Sequence, residues 1–297
     1  MVSGKYILLV SFAGMIACYS GCRNEASDNK GLFEADTSKA EDETVKKAKN
    51  IFYNMYLPSE MYKVFEKAGA VYNVDILNPV ESVNLYESSY KAALNLGIYG
   101  VDLSYNKMFG QNQKTLLYFT VIHKLSQQLG IPDNQFSSAL RKMEKNISSR
   151  DSLTKYATDI FRSTNRFLNE NERQATAALI ITGGWIEALY VASKIADDNT
   201  SNEEIIERIA FQKYSLRSLV ALLENYQKDE NVARYLLMLK TLKRSFDKFE
   251  IFYEPGDLEI DTINKMIRAH KIDFNLHNKD IHDIKAIIFA VRNDVIN

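Results

Sequence analysis

Glycine and proline are scarce in this chain, and that scarcity limits its possible folds more than any other feature of the sequence. Twelve glycines and four prolines stand among 297 residues, whereas average proteins use about 12% of the two together. Sandwiches, barrels and propellers need a turn every ~8–12 residues, and turns depend on these two residue types. The composition therefore favours long helices.

Apolar residues recur at three- and four-residue spacing over most of residues 44–297, which is the period of a helix. The runs and their stop signals predict about ten helices: Thr44–Tyr56, Ser59–Ala68, Asn78–Gly97, Gln113–Leu129, one starting at 131–133, Ser149–Leu168, Asn171–Ala196, Glu203–Tyr226, Asp229–Phe252, Ile260–His270 and Asn278–Val295. No proline-rich linker or repeat period divides them. We expect one all-α domain over residues 44–297, with bundle-like or orthogonal packing.

Residues 1–21 predict a secretory signal peptide. Lys5 supplies the positive start, and residues 7–17 form an apolar run of suitable length. This run is too short to cross a bilayer as a mature helix, which needs about 20 apolar residues.

Cys22 follows two small residues, Ser20 and Gly21, as in the lipobox of bacterial lipoproteins. In that motif the cysteine is acylated, for example with palmitate, and becomes the new N-terminus. Tyr19 departs from the pattern, because an aliphatic residue is usual there. The chain is therefore expected to be held at the cell envelope by lipid, on the periplasmic or the surface face of the outer membrane. An ordinary exported protein cut nearby is the alternative.

Residues 22–43 predict a lipidated N-terminus and a flexible tether. This stretch is rich in charged and small polar residues, and Leu32-Phe33 is its only strongly apolar pair. Since Cys18 and Cys22 are the only cysteines, the body can have no internal disulfide, thiol catalysis or Cys-ligated zinc.

Charge and motifs exclude several classes of function. The net charge of −1 and the pI near 6.5 do not favour nucleic-acid binding. The chain has no nucleophile elbow, P-loop or dinucleotide-binding glycine pattern, so no cofactor is predicted. Among four histidines, His270, His277 and His282 lie close in sequence, but their spacing fits no helical metal motif. We therefore predict no metal site.

Glu187 is the only charged residue between Gln174 and Ser193. A helix this apolar is either buried among other helices or spans a membrane, and apolar residues on both of its sides favour burial. A buried carboxylate must be paired, hydrogen-bonded or protonated, so a structural Arg or Tyr partner is expected. Gly183-Gly184 would let a neighbouring segment approach closely.

A candidate ligand-binding site comprises Tyr86, Tyr90, Asp102 and Glu187. Asp102 lies in a stretch flanked by glycines that would interrupt a helix, and we expect that stretch to meet the Gly183-Gly184 notch in the core. Trp185 would pack the opposite side of that helix. Tyr86 and Tyr90, one turn apart on one helix face, would flank the opening. Nine of the 17 tyrosines fall between residues 53 and 118, which suits helix packing or a half-wet groove.

The segments Tyr99-Gly100-Val101-Asp102-Leu103-Ser104-Tyr105 and Gly183-Gly184-Trp185-Ile186-Glu187-Ala188-Leu189-Tyr190, behind this leader, resemble a family of uncharacterised lipoproteins of Bacteroidetes. The resemblance covers most of the mature chain. It implies a helical exported body and brings no activity with it.

The sequence favours a lipid-anchored envelope protein with a non-catalytic binding or scaffold role, whose partners are the membrane, through the lipid, and an envelope protein or small molecule. One alternative is an envelope hydrolase that uses Asp102 or Glu187 as an acid–base group. Another is a ligand-sensing module. A deep cleft with two carboxylates would favour the enzyme, and a flat aromatic groove would favour binding.

Overall fold

The structure is a computed structural model, and it describes residues 58–133, 163–198, 202–253, 258–261, 266–269 and 272–297. The signal peptide, Cys22, the tether and the predicted helix Thr44–Tyr56 lie outside these residues. So do residues 134–162, which include most of the predicted helix Ser149–Leu168.

Seven α-helices make up most of the described chain: α1 Pro58–Lys67, α2 Ser89–Met108, α3 Asn112–Gln128, α4 Gln174–Asp198, α5 Glu203–Glu224, α6 Glu230–Phe246 and α7 Asn278–Ile296. Residues 163–170 are also helical, and two 3-10 helices, Val74–Ile76 and Val80–Leu85, connect α1 to α2. Helix accounts for 78% of the described residues. The predicted all-α single domain is confirmed.

Four short strands depart from the predicted pattern: β1 Ile251–Tyr253, β2 Leu258–Asp261, β3 Met266–Ala269 and β4 Ile272–Phe274. They form two antiparallel pairs, with Ile251 opposite Phe274 and Ile260 opposite Ile267. The predicted helix Ile260–His270 is therefore wrong, and the helix predicted to run to Phe252 ends at Phe246. Residues 258–261 alternate apolar and acidic side chains, a period of two that is typical of a strand.

The predicted helix Asn78–Gly97 is confirmed over Ser89–Gly97 and is wrong at its start and its end. Its first half is a 3-10 turn and a loop, and α2 begins only at Ser89, then continues through Gly97 and Gly100 to Met108. The glycines near Asp102 do not interrupt the helix. Gly110, whose φ is +69°, follows its end, where a left-handed glycine is common.

Helix α4 lies at the centre of the core, where it contacts α2, α5 and α7. It is long and apolar enough to cross a membrane, but 72% of its apolar window is buried inside the protein, as in a core helix. The Trp185 indole N–H donates to the Ser215 hydroxyl oxygen of α5 at 2.9 Å. Trp185 therefore packs against α5, whereas Gly183 on the same helix faces Leu94 of α2.

Helices α2 and α4 approach each other backbone to backbone at their glycines. A Cβ atom added to Gly97 would lie 2.0 Å from the carbonyl oxygen of Ile180, and one added to Gly183 would lie 1.9 Å from that of Leu94. At Gly184 the nearest atom would be 3.4 Å away. The notch that the sequence predicts is confirmed, and Gly97 and Gly183 are the residues that create it.

We expect Gly97→Ala to destabilise the protein by about 3 kcal/mol or more, because the added methyl group would push two backbones apart. Gly100→Ala is the matched control on the same helix. Its added Cβ has no neighbour within 4 Å, so it should stabilise the fold by about 0.5–1 kcal/mol. Urea denaturation of both variants measures the difference. Equal stability of the two would contradict the close approach.

Candidate functional site

The structure brings Asp102 and Glu187 together, as the sequence predicts. Asp102 lies on α2, five residues beyond Gly97, and Glu187 lies on α4, one turn beyond Gly183. Both side chains are 0% exposed, and the two carboxyl groups are within hydrogen-bonding reach of each other. A ligand could reach either group only if the surrounding helices moved apart.

Arg292 on α7 is the partner of Glu187. Its Nε donates to Oε2 at 2.8 Å and its Nη2 donates to Oε1 at 3.0 Å, which is the bidentate geometry that arginine forms with carboxylates. Arg292 is 5% exposed, and its guanidinium lies 3.9 Å from the centroid of the Tyr190 ring, a cation–π contact. The structural arginine partner expected for Glu187 is thus present.

The buried cluster holds two carboxyl groups and one guanidinium, so it is electrically neutral when one carboxyl carries a proton. Glu187 faces Arg292 with both oxygens, whereas Asp102 Oδ2 accepts from the backbone N–H of Asn78, at 3.1 Å. Asp102 Oδ1 has no hydrogen-bond donor among the residues that the structure describes. A proton on Asp102 that donates to Glu187 satisfies this oxygen and removes the repulsion between two buried anions.

Burial is the main cause of the shifted pKa values in this cluster. Burial, reinforced by Glu187, raises the pKa of Asp102 well above its usual range. Burial also raises the pKa of Glu187, and Arg292 opposes that rise. The proton therefore resides on Asp102, and Glu187 carries the charge that pairs with Arg292.

We expect Glu187→Gln to destabilise the protein by about 3–5 kcal/mol, because it leaves the Arg292 guanidinium buried without its counter-ion. Asp102→Asn should remain within about 1 kcal/mol of the natural protein, because its amide can accept from Asn78 and donate to Glu187. Exposed Glu87→Gln is the control, and urea denaturation gives all three values. If Asp102→Asn lowered the free energy of unfolding more than Glu187→Gln does, the proton would belong to Glu187 instead of Asp102.

The raised pKa of Asp102 also predicts how stability changes with pH. An unfolded Asp loses its proton near pH 3.9, whereas folded Asp102 keeps it, so folding takes up a proton above that pH. The free energy of unfolding should then fall as pH rises from about 4 until the folded pKa is passed. Asp102→Asn should flatten this decline, and Glu87→Gln should leave it unchanged. Urea midpoints measured from pH 5 to 9 test the slope.

Asn78 connects the carboxyl cluster to its surroundings. It is almost fully buried, and its side-chain amide donates to Tyr86 Oη at 2.9 Å and to Asn95 Oδ1 at 3.2 Å. Asn95 in turn donates to the carbonyl oxygen of Val295 at 3.2 Å. The network therefore joins the loop before α2, α2 itself and the end of α7.

Tyrosines hold the irregular segment 70–88 against the helices. Tyr99 Oη donates to the carbonyl oxygen of Pro79 at 2.7 Å, and Tyr118 Oη donates to that of Asn78 at 2.9 Å. Tyr105 Oη accepts from the backbone N–H of Asn73 at 3.0 Å. These hydroxyl groups bond to backbone atoms of a segment that contains no α-helix, although the Pro79 oxygen also accepts from the backbone N–H of Ser82 at 3.1 Å. The tyrosine-rich composition thus serves packing in this part of the chain.

Tyr86 and Tyr90 are not arranged as predicted. Tyr86 follows a 3-10 helix and Tyr90 lies in the first turn of α2, so they do not share one helix face. Tyr86 is 1% exposed, and its hydroxyl bonds to Asn78 inside the core. It therefore lines no opening, while the half-buried Tyr90 packs against the core. The ligand-binding role assigned to Tyr86, Tyr90, Asp102 and Glu187 stays a prediction.

Histidines and acids do not converge on a metal site in the described part of the chain, where no group of three or more potential ligands is found. His123 contacts Asp133 at the surface. His277 lies at the N-terminus of α7, where Asp280 forms a capping box with it. His270 lies outside the described residues.

Arg292, Asn78 and Asn95 are the members of the network that sequence reasoning missed. Arg292 stands in the apolar stripe of α7, four residues after Ile288 and three before Val295, both buried. A charged residue at a core-facing position of an amphipathic helix is the signal that would have paired it with Glu187. No comparable pattern marks the two asparagines.

No family model, curated protein or solved structure matches this chain. Its function therefore has to be inferred from the sequence and from the geometry of the described residues.

Proposed function

We propose that this protein is a lipid-anchored component of the bacterial cell envelope that acts by binding or scaffolding rather than by catalysis. The apolar leader, the small residues before Cys22 and the polar tether support the anchor. The resemblance to uncharacterised Bacteroidetes lipoproteins supports the same location.

The buried ion pair is the observation that carries the non-catalytic role. Asp102 and Glu187 are the two acids on which a hydrolase was hypothesised, and both are 0% exposed. Glu187 is occupied by two hydrogen bonds from Arg292. A general acid or base must come within hydrogen-bond reach of its substrate, and these groups instead hold three helices together. The geometry thus favours a structural use of the two acids.

The anchor is tested by Cys22→Ala. We expect this change to abolish labelling with a fatty-acid analogue and to move the protein from the membrane fraction to the soluble envelope fraction, because one cysteine carries the acyl attachment. Cys18→Ala is the matched control and should label like the natural protein. If the natural protein takes up no label, it is not a lipoprotein.

The non-catalytic role is tested with Asp102→Asn. This variant keeps the hydrogen bonds of the protonated acid but cannot exchange a proton as a carboxyl does. In cells that depend on the protein, a binding protein should retain its function with this change. Loss of function in a variant whose folding and anchoring are intact would favour the hydrolase.

A further inference from the structure

Helices α5 and α6 form an antiparallel hairpin with a shallow groove along its outer face. One wall is the stripe of α5 from Arg217 to Glu224, and the other runs from Leu237 on α6 to Asp247 just after it. This α5–α6 groove has a volume of about 580 Å³. Ligand clefts typically have volumes of about 300–1,000 Å³.

The floor of the α5–α6 groove is apolar. Val220 and Ala221 lie along it, and Leu237 at its edge is 67% exposed. An exposed leucine beside a concave apolar floor offers a surface on which a partner's apolar side chains could be buried.

The rim of the groove carries a surplus of positive charge. Its two acids are already paired, Glu224 with Lys240 at 2.7 Å and Asp247 with Lys243 at 2.5 Å. Arg217 and Arg244 also line the groove, and no carboxylate among the described residues pairs with either of them. The groove is therefore suited to a short segment that carries apolar and acidic side chains together.

The chain itself contains such a segment before its helical body. Residues 23–43 hold seven acidic residues against three basic ones, and the apolar pair Leu32-Phe33 is followed at once by Glu34 and Asp36. The order apolar, apolar, acidic, small, acidic matches a groove with an apolar floor and two arginines at its rim.

The segment is also long enough to reach the groove. Lys67 at the end of α1 pairs with Glu204 in the first turn of α5 at 2.9 Å, so this end of α1 lies beside that helix. Pro58, at the other end of α1, is about 14 Å from Lys67 along the helix axis. Arg217 lies 13 residues further along α5, which is about 20 Å. The 25 residues from Phe33 to Pro58 can span up to ~80 Å.

We propose that residues 32–36 dock into the α5–α6 groove of their own chain. Leu32 and Phe33 cover the apolar floor beside Leu237, and Glu34 and Asp36 pair with the two arginines of the rim. Docking leaves only nine residues between Cys22 and the docked Leu32. In a lipid-anchored protein, the face with α5 and α6 would then turn towards the membrane, at a distance of at most ~35 Å.

Disulfide trapping tests the contact, because the body of the chain contains no other thiol. The full chain would carry Cys18→Ser and Cys22→Ser, together with Phe33→Cys and Leu237→Cys, and be oxidised mildly in detergent. The control replaces Leu237→Cys with Leu117→Cys, a residue of α3 that is 56% exposed. Two cysteines bridge only when their Cα atoms come within about 7 Å.

We expect an intramolecular bridge to form at least ten times faster at Leu237 than at Leu117. Arg217 and Arg244 are exposed, and changing both to Glu should make the bridging rate at Leu237 equal to that at Leu117. High salt should reduce the difference between the two rates in part. Equal rates at the two positions would overturn the proposal. Bridges that form only between chains would also overturn it, because they indicate a second copy as the occupant. A bridging rate that charge reversal leaves unchanged would overturn it as well.

The docking itself does not depend on the proposed anchor, because the trapping experiment removes Cys22. Only the orientation towards the membrane rests on the proposed function. Failure of acyl labelling would therefore leave the contact standing, and failure of the trapping would leave the anchor standing.

Discussion

The close approach of α2 and α4 is the contact on which the rest of the core depends. At Gly97 and Gly183 the backbone of one helix lies where a side chain of the other would otherwise be. Because the two helix backbones are so close, no other side chain fits between Asp102 and Glu187. Their carboxyl groups therefore meet in the core. Two carboxyl groups buried away from water would repel each other if both were ionised. A counter-ion for one and a proton on the other remove this repulsion, which the close approach of the helices causes.

Arg292 supplies the cation, and it comes from the last helix of the chain. The final turn of α7 is bound further, since Asn95 donates to the carbonyl oxygen of Val295 and Tyr86 donates to that of Ile296 at 3.4 Å. The C-terminal residues are therefore an integral part of the core. Buried ion pairs add little net stability compared with apolar packing, but they penalise wrong arrangements strongly. Here the pair connects α7 to α4, and the bond from Asn95 to Val295 connects α7 to α2.

Charge is used in two different ways in this molecule. Inside, the charges of Glu187 and Arg292 cancel and are closed to solvent. Outside, Arg217 and Arg244 remain open along the α5–α6 groove, beside the exposed Leu237. This division, with paired charges inside and exposed cations beside an apolar groove, is the arrangement on which the proposed binding role is based.

The sequence by itself determined the helical class, the buried position of α4 and the meeting of Asp102 with the Gly183-Gly184 notch, because low glycine and proline content, apolar periodicity and a lone charge are local signals. It did not reveal Arg292 as the partner, because the core-facing position of Arg292 in α7 indicates burial but does not say which acid it meets, 105 positions away. It also misassigned two segments as α-helix, residues 78–88 and the strand residues 260–261 and 266–269. In the first, tyrosine hydroxyls from α2 and α3 stabilise a non-helical backbone, and in the second, pairing between strands decides the structure. Tertiary contacts outweigh local propensity in both places, since the backbone's hydrogen-bond partners lie elsewhere in the chain.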